Sequence, residues 1–145
     1  MAAQNKEDQL RQILYQLQLM EGSVQTLQQR LDVLNSASAD LAMSKNSLTE
    51  LKELKVDSPL LIPVGGGAFI HAKSADLSKV IIGIGADVSV EMDLDKTLET
   101  ISGRLTDVEK AQVSVQEQLS QILNQMQVYQ SVGQRLSAEL QGVTA

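Results

Sequence analysis

The chain has 145 residues and a formal net charge of −6, with no cysteine, one histidine and only 2% aromatic residues. This composition excludes disulfides, thiolate metal sites, thiol nucleophiles and His-rich metal sites. The basic residues are spread along the chain without a cluster that could bind nucleic-acid phosphates. The sequence has no apolar run of 18 residues, which is about the length that a membrane-spanning helix needs. The first residues lack the apolar stretch of a signal peptide, so we expect a cytoplasmic protein.

Glutamine, proline and glycine divide the sequence into three segments. Eight of the 17 glutamines lie within the first 29 residues, the other nine lie from Gln112 onward, and both prolines and five of the nine glycines lie between. Glutamine favours helices, whereas proline and glycine interrupt helices and favour turns. We therefore predict an N-terminal helix over 1–57, β-hairpins over 58–92 and a C-terminal helix over 93–145, in a single structural unit.

A heptad repeat runs through the first outer segment. Steps of three and four residues give twelve positions, ten of them apolar: Leu10, Ile13, Leu17, Met20, Val24, Leu27, Leu31, Leu34, Ser38, Leu41, Lys45 and Leu48. An apolar seam that repeats every 3.5 residues indicates a left-handed coiled coil. The sequence Asp57-Ser58-Pro59 then ends the predicted helix, because proline disfavours helical geometry in the residue before it.

The last outer segment carries a matching seam. Twelve of its fourteen positions are apolar: Leu94, Leu98, Ile101, Leu105, Val108, Gln112, Val115, Leu119, Ile122, Met126, Tyr129, Gly133, Leu136 and Leu140. Two arms of nearly equal length on either side of one insert predict an antiparallel coiled coil. In that arrangement Ser38 lies close to Gln112, and a polar layer of this kind lowers the stability of the coil.

The central segment is predicted to form four short strands in two hairpins. Runs rich in Ile, Val and Leu are separated by turns at Gly65-Gly66-Gly67 and Gly85-Ala86. A two-stranded hairpin is marginal in water, so these hairpins need partners, and a closed barrel would remove their free edges. The apolar strand residues are the candidate oligomerisation residues: Leu61, Ile62, Val64, Phe69, Ile70, Val80, Ile82, Ile84, Val88 and Val90.

No motif in the sequence predicts catalysis. The run Gly65-Gly66-Gly67 is not followed by the Gly-Lys-Ser/Thr of a phosphate loop, and a turn between strands is the better interpretation. His71 has no serine, cysteine or carboxylate pair that the sequence places beside it. Most acidic residues fall on outward heptad positions. We therefore predict no enzyme activity, no catalytic residue, no cofactor and no metal.

The ends of the two arms are the better candidates for function. Both termini of an antiparallel coiled coil meet at the tip farthest from the hairpins, where helices fray. Apolar residues from both arms gather there, namely Leu10, Ile13, Leu14, Leu17, Leu136 and Leu140. A fully paired seam is the alternative, but Leu14 lies outside the heptad count and would remain exposed even then. Exposed apolar surface usually marks an interaction site.

The complete pattern resembles the α subunits of the archaeal prefoldin family. Two heptad arms flank an insert of two hairpins around Pro63-Val64-Gly65-Gly66-Gly67-Ala68-Phe69, whereas the β subunits of that family carry a single hairpin. The resemblance implies a mainly α, α+β fold, in which the hairpins build the β-barrel body of an α2β4 hexamer.

The same resemblance implies an ATP-independent holdase that captures unfolded client proteins and delivers them to a group II chaperonin. It places client binding at the coiled-coil tips, on the six apolar residues given above. Two other interpretations remain open. One is a structural coiled-coil scaffold or spacer assembled through its hairpins, with inert tips. The other is an enzyme or nucleic-acid module that uses the coiled coil as an arm, which the sequence disfavours.

Overall fold

The computed structural model describes residues 1–144, with side chains described through Gly142. Six elements follow one another: helix α1 (Ala2–Lys52), strands β1 (Pro59–Gly65), β2 (Ala68–Lys73), β3 (Lys79–Gly85) and β4 (Val88–Asp93), and helix α2 (Leu94–Thr144). The predicted fold class, two long helices with two β-hairpins between them, is confirmed. The predicted final residue of the second arm, Ala145, lies outside the described residues.

The chain divides into two compact units. The terminal unit contains residues 1–36 and the residues from Glu109 onward, and the central unit contains Ala37–Val108. Each long helix contributes to both units.

The two helices of the terminal unit are antiparallel. Near their free ends, Lys6 Nζ lies 3.0 Å from Glu139 Oε2, and further along, Gln112 Nε2 donates a 2.8 Å hydrogen bond to Asn35 Oδ1. The sequence predicted Ser38 as the neighbour of Gln112. The observed hydrogen-bond partner, Asn35, lies about one helical turn before Ser38. The amide pair satisfies the polar group of Gln112 at a seam position where an apolar side chain is the norm.

The heptad seam determines which helix residues are buried. All fourteen predicted seam positions of α2 are buried or half-buried, and so are all those of α1 except Lys45, which is exposed. The most buried apolar seam residues are Leu27, Leu94, Ile101, Val115 and Leu136. Because the flanking positions are mainly polar, burial of this stripe accounts for most of the apolar surface that the helices remove from water.

Helix α1 ends at Lys52, before the predicted boundary at residue 57. Tight turns close its last carbonyl groups, with the Leu54 N–H donating to the Leu51 carbonyl at 3.1 Å. The buried Ser74 then fixes the connection, because its hydroxyl donates to the Lys55 carbonyl at 2.8 Å and accepts from the Ser58 N–H at 3.0 Å. The chain therefore leaves helical geometry early because a side chain beyond β2 holds the linker in another conformation.

The two hairpins are structural repeats of each other. Pro59 pairs with Lys73 in the first hairpin, and twenty residues later Lys79 pairs with Asp93 in the second. Each hairpin shifts register two residues before its turn, so that Val64 in one and Ile84 in the other form a bulge. Both turns have two central residues with positive φ, which is the geometry that suits the right-handed twist of a hairpin.

The repeated hairpins differ in what they contact. In the β3–β4 hairpin, Ile82 is buried in a shared groove with Thr97 and Ile101 of α2, and Arg104 Nη2 donates a 2.9 Å hydrogen bond to the Gly83 carbonyl. In the β1–β2 hairpin, apolar side chains on both faces stay exposed. The central unit therefore presents one docked hairpin and one whose two apolar faces are both accessible.

Candidate functional site

An open groove lies between the two helices of the terminal unit, near their free ends. Its volume is ≈ 730 Å³, and its lining combines aliphatic, tyrosine and glutamine side chains with one arginine: Gln9, Gln12, Ile13, Tyr15, Gln16, Tyr129, Val132, Arg135 and Leu136. Residues three and four apart on one helix share a face, which is why two short intervals, 9–16 on α1 and 129–136 on α2, supply the whole lining. We call this surface the terminal groove.

The six predicted client-binding residues occupy three different environments. Leu10, Leu17 and Leu140 are half-buried in the seam, and Ile13 and Leu136 extend from the seam into the terminal groove. Leu14 is 56% exposed and is not part of the groove lining. The predicted residues therefore lie in one region of the terminal unit, although most of them also hold the two helices together.

Three apolar or aromatic residues of the groove, Tyr15, Tyr129 and Val132, were not predicted as binding residues from the sequence. Tyr15 is 60% exposed, and it lies opposite Tyr129 and Val132 in the same groove. The sequence did contain a signal: the chain has only three aromatic residues, and the antiparallel arrangement brings two of them to this one surface. Tyrosine combines a large apolar ring with a hydroxyl, which suits a partly wet binding surface.

The apolar surface continues along the same pair of helices. Leu19 is half exposed, lies one turn beyond Tyr15, and lines a second groove with Thr26 and Ile122. Exposed apolar side chains on neighbouring turns make this surface a candidate binding site for another macromolecule. The lining offers weak, non-directional contacts to apolar groups and amide hydrogen bonds from the glutamines.

The described part of the chain contains no cluster of potential metal ligands. Within residues 1–144, no three His, Asp or Glu residues come close enough together to hold a metal ion. The cleft between the end of α1 and the start of α2 is a structural feature, in which Lys52 Nζ lies 2.6 Å from Asp95 Oδ1. The hydrogen bond and the charge of Asp95 raise the pKa of Lys52 above its usual value.

The second candidate surface is formed by the hairpins. Of the ten predicted oligomerisation residues, seven are exposed: Leu61, Ile62, Val64, Phe69, Ile70, Ile84 and Val88. Val80 and Val90 are half-buried, and Ile82 is buried within the unit itself. Ile81, which was not predicted, is the most exposed of the large apolar strand residues at 78%.

Both faces of the β1–β2 hairpin are apolar. Ile62 pairs with Ile70 on one face, and the adjacent pair of Pro63 with Phe69 points to the other. An isolated hairpin that exposes apolar groups on both faces is unstable in water. The exposed apolar side chains on both faces make this hairpin the second candidate binding surface of the chain.

Comparison with known proteins identifies the family. A family model described as "Prefoldin subunit" matches residues 20–139, which include most of both helices and both hairpins. The chain belongs to the prefoldin family. The resemblance stated from the sequence is thus confirmed. Prefoldin is a family of co-chaperone subunits and is not an enzyme family. Its members assemble as oligomers with other prefoldin subunits.

The relatives that match this chain include prefoldin α subunits. It is 36% identical to prefoldin subunit alpha of Methanococcus aeolicus, over 83% of each chain, and 29% identical to that of Pyrococcus horikoshii, over 84% of this chain and 82% of the relative. The cryo-EM structure of filamentous PFD from Methanocaldococcus jannaschii has the same fold, with a TM-score of 0.68 and 19% identity, and the match covers 79% of this chain and 95% of that chain.

Among the described residues, no helix is long and apolar enough to cross a membrane.

Proposed function

We propose that this chain is the α-type subunit of a cytoplasmic α2β4 prefoldin that holds non-native polypeptides without ATP. Clients bind at the terminal unit, and the loaded complex passes them to a group II chaperonin. The proposal is supported by family membership and by the similarity to prefoldin α subunits over most of the chain. The alternative is a scaffold that assembles through its hairpins and has inert helix ends.

The accessible apolar surface of the terminal unit carries the holdase part of the proposal. The terminal groove has aliphatic and tyrosine side chains along its lining, and Leu14 and Leu19 add further exposed apolar surface. An unfolded chain exposes apolar groups in no fixed order, so a shallow surface of this kind accepts many sequences where an enclosed pocket would accept few. Binding of the unfolded state removes it from the aggregation pathway by mass action.

Assembly supplies the affinity that one shallow groove lacks. Several copies of a weak binding surface in one oligomer raise the effective concentration of binding groups around a captured chain. The exposed residues of the β1–β2 hairpin, such as Leu61 and Phe69, are suited to such assembly, because they gain burial only when another subunit covers them. Closing the hairpins of several subunits into barrels would also pair the free strand edges.

Truncation of the helix ends tests the holdase proposal. A variant that lacks residues 1–17 and 136–145 should assemble with its partner subunits as the full chain does, but it should no longer suppress the aggregation of a denatured client. A second variant, Tyr15→Ser with Leu19→Ser, keeps the helices at full length and should lose part of the holding activity. If both variants assemble and hold clients as well as the full chain does, the proposal is wrong and the scaffold alternative is favoured.

A further inference from the structure

Arg135 is the only side chain with a full charge in the lining of the terminal groove. The other eight lining residues are aliphatic, tyrosine or glutamine. Arg135 itself is exposed and lines the groove, so its charge is accessible to a bound segment. With one cation and no carboxylate, the lining of the groove carries a net positive charge. The whole chain, in contrast, carries a net negative charge.

The neighbouring acidic side chain does not neutralise Arg135. Glu139 lies one turn further along α2, but its carboxylate is held by Lys6 at 3.0 Å. The ion pairs found in the described part of the chain are this one and the pair of Lys52 with Asp95, and Arg135 belongs to neither. The guanidinium is therefore available to a carboxylate that arrives from outside.

A bound polypeptide changes the solvation of this guanidinium. An aliphatic segment lying on Ile13, Val132 and Leu136 would displace water beside Arg135. Removal of water from a charge costs free energy unless an opposite charge or hydrogen-bond acceptor replaces it. A segment that carries a carboxylate next to its aliphatic residues meets this requirement, an uncharged segment meets it poorly, and a basic segment adds repulsion.

We propose that Arg135 makes the terminal groove selective for non-native segments in which Asp or Glu lies beside aliphatic residues. The proposal rests on the proposed holdase function and names the class of client segment that the groove prefers. Arg135 acts here as a specificity-determining residue, and the aliphatic and tyrosine side chains supply binding that does not depend on charge.

Peptide binding by the full-length chain, assembled with its prefoldin partner subunits, tests the selectivity. Three fluorescein-labelled, unstructured 15-residue peptides share the same aliphatic residues and differ at two central positions, which are Glu, Gln or Lys. By fluorescence anisotropy the wild-type assembly should bind the Glu peptide roughly five-fold more tightly than the Gln peptide, the size expected for a partly exposed ion pair. It should bind the Lys peptide least tightly, and added salt should reduce the differences.

Two variants assign the preference to Arg135. In Arg135→Gln the affinities for the Glu and Gln peptides should become equal, whereas Arg135→Lys should keep part of the preference. Arg11→Gln removes the same charge from an exposed position that does not line the groove, and it should keep the full preference. Equal binding of the Glu and Gln peptides by the wild type, or an unchanged preference in Arg135→Gln, would overturn the proposal.

Failure of the selectivity and failure of the holdase function give different results. An assembly that suppresses client aggregation and binds all three peptides equally contradicts only the selectivity. An assembly that binds none of the peptides and does not suppress aggregation contradicts the holdase function as well. If Arg135→Gln changes the mass of the assembly in analytical ultracentrifugation, the groove is a contact between subunits, and the selectivity for client segments is again contradicted.

Discussion

Gln112 and Asn35 form an amide pair between the antiparallel helices of the terminal unit, with 2.8 Å between Nε2 of Gln112 and Oδ1 of Asn35. Gln112 occupies a half-buried seam position, whereas Asn35 is exposed. A polar residue at one seam position fixes the register of a coiled coil at the expense of its stability. The pair therefore explains why a long seam of similar leucine and valine residues can adopt one alignment.

Replacement of Gln112 by leucine should raise the stability and weaken the register. Gln112→Leu adds apolar burial at the seam, and the exposed Asn35 can bond to water, so we expect the free energy of unfolding to rise by about 1 kcal/mol. Spin labels at positions 6 and 139 report the register, and the chain has no native cysteine to interfere with labelling. The distance distribution should be narrow in the parent chain and broader in Gln112→Leu. A lower unfolding temperature with an unchanged distribution would contradict this interpretation.

Gly133 should tolerate a methyl group despite being buried. A Cβ atom at this position would lie 3.5 Å from Ile13 Cγ2 and 3.9 Å from Leu10 Cδ1, which are ordinary packing distances. Gly133→Ala should therefore stabilise the terminal unit by about 1 kcal/mol through helix propensity, with a further gain from these contacts. Gly22→Ala is the matched control, because its methyl group would meet nothing within 4 Å and gains only the propensity. Thermal unfolding followed by circular dichroism compares the two, and a lower stability of Gly133→Ala than of the parent would refute the packing argument.

Seam residues and exposed residues of the terminal unit should respond differently to substitution. Leu136 is 7% exposed, so Leu136→Ala should lower the free energy of unfolding by about 2–5 kcal/mol, and any loss of holding activity would then follow from loosened helices. Leu14 and Tyr15 are mostly exposed, so Leu14→Ser with Tyr15→Ser should change stability by no more than about 1 kcal/mol in total. The double variant should nevertheless suppress client aggregation less well. Light scattering and thermal unfolding of the same samples separate the two effects, and unchanged holding activity in the double variant would show that the exposed side chains do not bind clients.

The sequence was sufficient to predict the elements of the fold because each has its own local pattern. Heptads define the two helices, and the alternation and glycine turns define the hairpins. Side-chain environments were less predictable. The seam count places Leu10 and Leu136 correctly, but the polar partner of Gln112, the early end of α1 at Lys52 and the aromatic walls of the terminal groove all depend on which residues from distant parts of the chain meet. Local periodicity contains no information on contacts between residues that are distant in the sequence.

Ser74 should be essential for the connection between α1 and β1. Its buried hydroxyl donates to the Lys55 carbonyl and accepts from the Ser58 N–H, so Ser74→Ala should leave a partly buried N–H group with one bond fewer and lower the free energy of unfolding by about 1–3 kcal/mol. Ser58→Ala is the matched control, since it removes only the exposed hydroxyl that also bonds the Lys55 carbonyl. Chemical denaturation gives the stability of both, and amide hydrogen exchange at residues 55–58 should increase mainly in Ser74→Ala. Equal effects of the two substitutions would contradict a special role for Ser74.

The β1–β2 hairpin should contribute to assembly more than to the fold of the single chain. Leu61 and Phe69 are both about 60% exposed, so Leu61→Ser with Phe69→Ser removes apolar surface that only another subunit can cover. We expect helical circular dichroism to be unchanged, and sedimentation of the variant with its partner subunits to shift toward smaller species, with a dissociation constant at least about ten-fold higher. Val33→Ser is the control, because Val33 has similar exposure on a helix of the terminal unit, outside the hairpins, and should leave assembly unchanged. If the hairpin variant assembles as the parent does, subunits must associate through another surface, of which the exposed Ile81 and Ile84 of the second hairpin are the next to test.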